Sequence, residues 1–206
     1  MIEGFSLATA HLFQDALASQ ARLRHRTFVE RRGLPHASFD GMEYDEFDTP
    51  AAVYLVWRDH ELVVRGLIRL LPTTEPYMLR SHWPYLVQDG ELPSSPEVWE
   101  ITRVCVDRSV DGRIRRKILP ELLCGVSEYF GEHGIRAMVG VTRPHLLEHF
   151  VRAGVRWLGP SSLIEGEMER AFIVRREHIR PTAHCGRYGI SGPVLETAGR
   201  QPRLAA

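Results

Sequence analysis

The segment Val98-Trp99-Glu100-Ile101-Thr102-Arg103 sets a carboxylate and a guanidinium three residues apart in a run that otherwise reads as a strand. A carboxylate held beside a nucleophile can take its proton, directly or through a water. A salt bridge to Arg103 is the other use of the same Glu100. Strict alternation puts Glu100, Thr102 and Val104 on one face and Ile101, Arg103 and Cys105 on the other. The pair therefore shares a face only if a bulge intervenes, and the expectation is a bulge here or separate jobs for the two residues. A second group of charges lies upstream, where Asp45 and Asp48 sit in an acidic run with Asp40, Glu43 and Glu46. Arg69 shares its strand face with Arg65 and Leu67. An inward-pointing Arg is costly unless paired, so an ion network of Arg24, Arg69, Asp45 and Asp48 is expected, against the plainer reading of a solvated acidic loop. A third group, Gly112-Arg113-Ile114-Arg115-Arg116-Lys117, opens a helix, where N–H groups and side-chain charge both favour phosphate. The plain alternative there is a solvated basic face.

The elements that must position these groups follow from periodicity. Residues 8–32 read as helical and end at Gly33 and Pro35. The acidic stretch 40–50 reads as a loop. Ala52–Trp57 and Leu62–Leu71 read as strands around a turn at Asp59-His60. Residues 77–88 suit a short helix, 89–97 a loop and Val98–Val106 a third strand. Arg113–His133 is a long helix stopped at Gly134, with Pro120 as a kink or its true start. Arg136–Val141 is a strand and Pro144–Ala153 a helix. Arg156–Leu158 and Glu169–Arg175 are the last strands, and the tail 181–206 is rich in Gly, Pro and Arg. This order predicts an α/β (α+β) three-layer sandwich, in which strands before and after the long helix lie side by side only through a crossover.

Bulk properties narrow the function classes. With 206 residues the chain suits one domain, 1–206, with a substantial core. A formal net charge of zero gives no global field for nucleic acid. No apolar run is long enough to span a membrane, and the N-terminus lacks a signal-peptide pattern. Cys105, Cys124 and Cys185 form no CxxC pair, which fits a reducing cytoplasm. His145-Leu146-Leu147-Glu148-His149 matches a zinc-peptidase pattern, but no third ligand follows, so no metal is expected. Cys105 reads as core. The chain contains no GxSxG, no Walker loop and no complete acetyl-CoA loop of the acetyltransferases.

Four stretches, in order and spacing, carry a resemblance. They are Arg24-His25-Arg26-Thr27-Phe28 with Glu30-Arg31-Arg32-Gly33; Met42-Glu43-Tyr44-Asp45-Glu46-Phe47-Asp48; Arg69-Leu70-Leu71-Pro72-Thr73-Thr74-Glu75-Pro76-Tyr77-Met78-Leu79; and Trp99-Glu100-Ile101-Thr102-Arg103. From about Arg22 to Ile179 the chain resembles the acyl-homoserine-lactone synthases, the LuxI-type autoinducer synthases.

The resemblance implies an N-acetyltransferase-like mixed sheet flanked by helices. It implies quorum-sensing signal synthesis from two substrates, S-adenosylmethionine and an acyl thioester on acyl carrier protein or coenzyme A, with no further cofactor. The amine is acylated, the lactone closes and methylthioadenosine leaves. Glu100, Arg103 and Arg69 then fall at the catalytic positions, with Glu100 the proposed base. Arg24, Phe28, Leu34, Asp45 and Asp48 fall at the adenosylmethionine site, where Leu34 replaces the family's usual Trp. The acyl chain would run along Met78, Trp83 (usually Phe), Val104, Met138, Thr142 and Leu146, with plain core packing the alternative reading of these residues, and Thr142 matches a Thr associated with 3-oxoacyl donors. Arg113, Arg115, Arg116 and Lys117 would meet the donor's phosphate or an acidic carrier protein. An N-acyltransferase for another amine and a non-catalytic sensor of the same fold are the alternatives. Acyl length, donor carrier and oligomeric state stay open.

Overall fold

The computed structural model describes residues 1–147, 154–179, 189–190 and 193–198. By internal contacts the chain divides into two compact units, one of residues 1–69, 103–129 and 181–206, the other of residues 70–102 and 130–180. Strand β5 (Val64–Pro72) and strand β6 (Val98–Val106) run from one into the other.

In the first unit, β1 (Ile2–Ser6) pairs antiparallel with β4 (Val53–Arg58). The β4–β5 hairpin turns where the sequence predicts. Asp59 Oδ1 accepts the N–H groups of Glu61 and Val63, and Leu62 takes φ 61° to close the turn. On the other side of β1 runs a strand too short to read from pattern, β11 (Leu195–Thr197), parallel to it. The Glu128 carboxylate accepts the N–H groups of Val194 and Leu195 and ties this segment to helix α3 (Gly112–Glu132).

The expected helix over 8–32 is three pieces. A 3-10 turn (Ala10–Phe13) ends at Gln14, whose φ of 39° breaks the helix. Helix α1 (Ala16–Arg24) follows and widens into a π-helical stretch (His25–Glu30) carrying Phe28. Such widening is uncommon and recurs at functional sites. The acidic loop contains a two-residue hairpin of β2 (Ser38–Phe39) and β3 (Met42–Glu43), turned by Asp40 and Gly41 at positive φ.

Helix α3 runs through Pro120, as an unbroken helix rather than one that starts there. It packs on β5 at Gly66, where an added Cβ would stand 2.2 Å from Ile118 Cγ2 and 3.1 Å from Leu122 Cδ1. Gly66→Ala is expected to cost about 1–3 kcal/mol by overpacking, read as a lower urea midpoint at unchanged slope.

In the second unit, β6 pairs in parallel with β7 (Ala137–Thr142), matching Val98, Trp99 and Glu100 to Ala137, Met138 and Val139. Strand β7 continues antiparallel to β10 (Glu167–Arg175), which also pairs with β8 (Val155–Trp157) and β9 (Ser162–Ile164). The link from β6 to β7 passes through α3, the crossover that a parallel pair requires. Helix α2 (Met78–His82) and a 3-10 turn (Pro84–Leu86) occupy the stretch expected to be helical. Of the helix expected over Pro144–Ala153, a 3-10 turn (Pro144–Leu146) is present, and residues 148–153 lie outside the described residues. The mixed sheet with flanking helices is thus the architecture found. Among the described residues no helix is long and apolar enough to cross a membrane.

Candidate active site

In the first unit, Arg24 leaves the last turn of α1 and is fully buried, as are Arg69 on β5 and Glu43 on β3. Arg24 forks onto Asp48, with Nη1 to Oδ1 at 2.7 Å and Nη2 to Oδ2 at 3.0 Å, while its Nε donates to Glu43 Oε2. Arg69 forks onto Asp45, with Nη1 to Oδ1 at 2.5 Å and Nη2 to Oδ2 at 2.9 Å, and reaches Asp48 Oδ1 at 2.9 Å. Arg103 Nη2 lies 2.6 Å from Asp45 Oδ2 and 3.0 Å from Glu43 Oε1. Tyr54 donates its hydroxyl to Asp48 Oδ1 at 2.7 Å, and the Asp45 backbone N–H donates to Asp48 Oδ2 at 2.8 Å. Three guanidiniums thus meet three carboxylates, and the formal charges cancel. This satisfies the condition under which buried charge is tolerated, since each ion is paired and hydrogen-bonded.

The network expected from Arg24, Arg69, Asp45 and Asp48 therefore exists, and it has two further members. Arg103 joins it through an irregularity in β6, where its φ is 50°, in the left-handed region. A residue in that region interrupts strict strand alternation. Glu43 was only one of five acids in the sequence run. Its place in a two-residue hairpin opposite Ser38, a register that short-range pattern does not reveal, is what buries it.

The electrostatics follow from this packing. Burial alone would raise Glu43, but His36, Arg103 and Arg24 outweigh it and hold the carboxyl at about 2. Asp48 is likewise pushed up by burial and pulled well below the usual range by Arg24 and Arg69. Depressed folded values contribute stability above the ordinary carboxylate range, near ~4, and lose it as pH falls through them. These carboxyls therefore make urea midpoints fall steeply between about pH 4.5 and 2. Burial raises the Cys105 thiol to about 12, as befits a core cysteine rather than a nucleophile.

Two apolar residues border the network. Phe28 is buried, and Arg103 lies over its ring with Cζ 5.2 Å from the centroid. Leu34 is buried and donates its N–H to the Phe28 carbonyl at 3.0 Å. Its side chain closes the π-helical stretch as core.

Glu100, in the second unit, is 1% exposed. Its Oε2 accepts the Met78 N–H at 2.8 Å and its Oε1 the Leu79 N–H at 2.7 Å. Helix α2 has no side-chain N-cap of its own, since the residue at that position is Tyr77, whose hydroxyl donates instead to the Pro93 carbonyl. Glu100 supplies from β6 what the local sequence lacks, satisfying two orphan donors with a charge that suits the helix N-terminus. Glu100 thus serves the start of α2, whereas Arg103 serves the ion network.

The remaining residues divide by position. Met78 and Met138 are buried, Trp83 and Thr142 partly so, and Leu146 is 49% exposed; all five belong to the second unit. Val104 belongs to the first unit and is 43% exposed. Arg113, Arg115, Arg116 and Lys117 project from the first turns of α3 and are exposed. There Asp111 Oδ1 accepts the Arg113 N–H at 2.8 Å, and Arg115 Nη1 donates to the Arg108 carbonyl at 2.9 Å. Glu148 and His149 of the zinc-like pattern lie outside the described residues.

Comparison with known proteins gives this arrangement its family. Residues 10–175 match the family model described as autoinducer synthase. The isovaleryl-homoserine lactone synthase of Bradyrhizobium diazoefficiens is 34% identical over 178 residues, 84% of this chain and 79% of that protein. The solved structure of BjaI, a CoA-dependent acyl-homoserine lactone synthase with SAM and isopentyl-CoA, superposes with a TM-score of 0.84 at 31% identity, covering 99% of this chain and 95% of that one. An N-acetyltransferase-type structure from Lactobacillus plantarum, 18% identical with a TM-score of 0.56 over 84% of this chain and 97% of that one, shares the fold alone. With the family model matched over most of its length, this chain belongs to the autoinducer synthases and is an acyltransferase of the acyl-homoserine-lactone synthase kind.

Proposed function

We propose that the protein moves an acyl group from an acyl-CoA thioester to the amine of S-adenosylmethionine and then closes the lactone. In the first step the amine nitrogen bonds to the acyl carbon, the thioester C–S bond breaks, the coenzyme leaves as its thiol and the amine gives up a proton. In the second, a carboxylate oxygen bonds to the carbon bearing the sulfonium, and that C–S bond breaks to release methylthioadenosine. A free α-amino group titrates near ~8, so the base has a modest task, and Glu100 is the group assigned to it. The ion network forms the rigid wall against which the cationic substrate is oriented. Positioning of this kind supplies much of what an internal displacement needs.

The observation that carries the choice of coenzyme A is the near full-length similarity to BjaI, whose structure holds SAM and isopentyl-CoA. The exposed basic turn of α3 offers charge for the donor's phosphates. Buried Cys105 and Cys124, in a chain without a CxxC motif, fit a cytoplasmic enzyme.

The test is to incubate purified protein with S-adenosylmethionine and isovaleryl groups carried by either coenzyme A or acyl carrier protein. Methylthioadenosine and a lactone formed with the CoA thioester are the expected products. Product formed only with carrier protein overturns the donor assignment. Thiol release without methylthioadenosine that depends on an added second amine points to acylation of that amine, and binding without either product points to a sensor.

A further inference from the structure

His36 lies in the irregular segment between the π-helical stretch and the β2–β3 hairpin, and the catalytic assignment does not use it. Its Nδ1 is 3.2 Å from Glu43 Oε1, the same oxygen that Arg103 Nη2 reaches at 3.0 Å. Its ring lies 5.9 Å from the Phe28 ring centroid, tilted by 36°. Asp45, Glu43 Oε1 and the face of Phe28 are three of the groups that hold the Arg103 guanidinium. His36 touches two of the three. The other Glu43 oxygen is taken by Arg24, so Arg103 and His36 share Oε1, and a stronger pull from one weakens its hold on the other.

We propose that His36 is a positioning residue for Arg103, acting through Glu43 and Phe28, and that its protonation state sets the affinity for the sulfonium substrate. This rests on the function proposed above.

The charged groups around the imidazole make the direction definite. Glu43 meets it from β3, and Arg103 from β6 and Arg24 from α1 share that carboxylate; Asp45, Asp48 and Arg69 complete the balanced set, and Arg32 lies on the Phe28 ring with Cζ 5.9 Å from its centroid. A neutral imidazole leaves three cations against three anions. A protonated one adds a fourth cation, draws Glu43 Oε1 from Arg103 and leaves the wall net positive, which disfavours a cationic substrate. Imidazole is the group that makes such a change between about pH 5 and 8.

The experiment is a pH series of kcat and of KM for S-adenosylmethionine, from about pH 8 to 5.5, on the wild type, His36→Gln and His36→Phe. Thermal melts at each pH confirm folding. The wild type is expected to show KM rising about tenfold toward acid, with kcat changing less. His36→Gln, which keeps a donor for Glu43 but does not titrate, should hold KM level. His36→Phe keeps the ring against Phe28, loses the donor, and should show a higher KM without the pH step. A level wild-type KM, or a step that survives in both variants, overturns the role of His36 alone. So does unfolding of both variants at 25 °C, which would make the residue scaffolding. No turnover by the wild type at any pH overturns the function reading and takes this role with it.

Discussion

Glu100→Gln is expected to fold and to lose at least ~100-fold in turnover, a loss in the range that general-base removal produces. The size follows from two roles held by one carboxylate. Both oxygens accept backbone N–H groups at the start of α2. An amide of the same shape offers one acceptor and one NH2, so either Met78 or Leu79 would face a donor. An unsatisfied buried donor costs about 1–3 kcal/mol, and the melting temperature should fall by several degrees. The two roles separate in kinetics. If Glu100 acts mainly as the base, the residual activity rises with pH as the amine deprotonates unaided, and KM for the acyl donor stays put. If it acts mainly by holding α2, KM for the donor rises and the pH profile keeps its shape. Near wild-type turnover would remove Glu100 from the catalytic set.

Asp48→Asn should be the most damaging substitution in the ion network. Asp48 receives the Arg24 fork, a contact from Arg69, the Tyr54 hydroxyl and the Asp45 N–H. Neutralising it leaves three guanidiniums against two carboxylates in a region where Arg24 and Arg69 have no exposure. Removing one partner from a buried ion set costs about 3–5 kcal/mol, much of a small protein's stability. Chemical denaturation should show that loss, and the acid-side fall in stability should become shallower because one depressed carboxyl is gone. A change below about 1 kcal/mol would mean the network is open to water, the regime of surface pairs.

The sequence was informative where chemistry is local. Strand β6 runs from Val98 to Val106 as its apolar and charged residues indicate, and α3 stops one residue short of the expected His133, before Gly134 at φ 69°. The β4–β5 turn followed from Asp59-His60. Arg24, Arg69, Asp45 and Asp48 were paired in advance by the cost of burying any of them alone. What escaped depends on distance along the chain. Glu100 caps a helix 21 and 22 residues upstream, a service visible only once β6 and α2 are placed. Glu43 enters through a hairpin too short to carry a period, His36 through the irregular segment before it, and β11 is three residues long. The break at Gln14 and the π-helical widening after Arg24 do not disturb the spacing of apolar residues enough to be read.

The irregular turn of β6 at Arg103 has a consequence for sequence change. A backbone at φ 50° suits glycine, whereas the ion contacts to Glu43 and Asp45 and the seat over Phe28 need a long planar cation. The amino acid that relaxes the main chain deletes the side chain, and lysine keeps the charge while losing the flat fork. Drift at this position is therefore blocked in both directions. Any descendant of this enzyme that abandons arginine here must also straighten the strand and discharge the carboxylates that surround it.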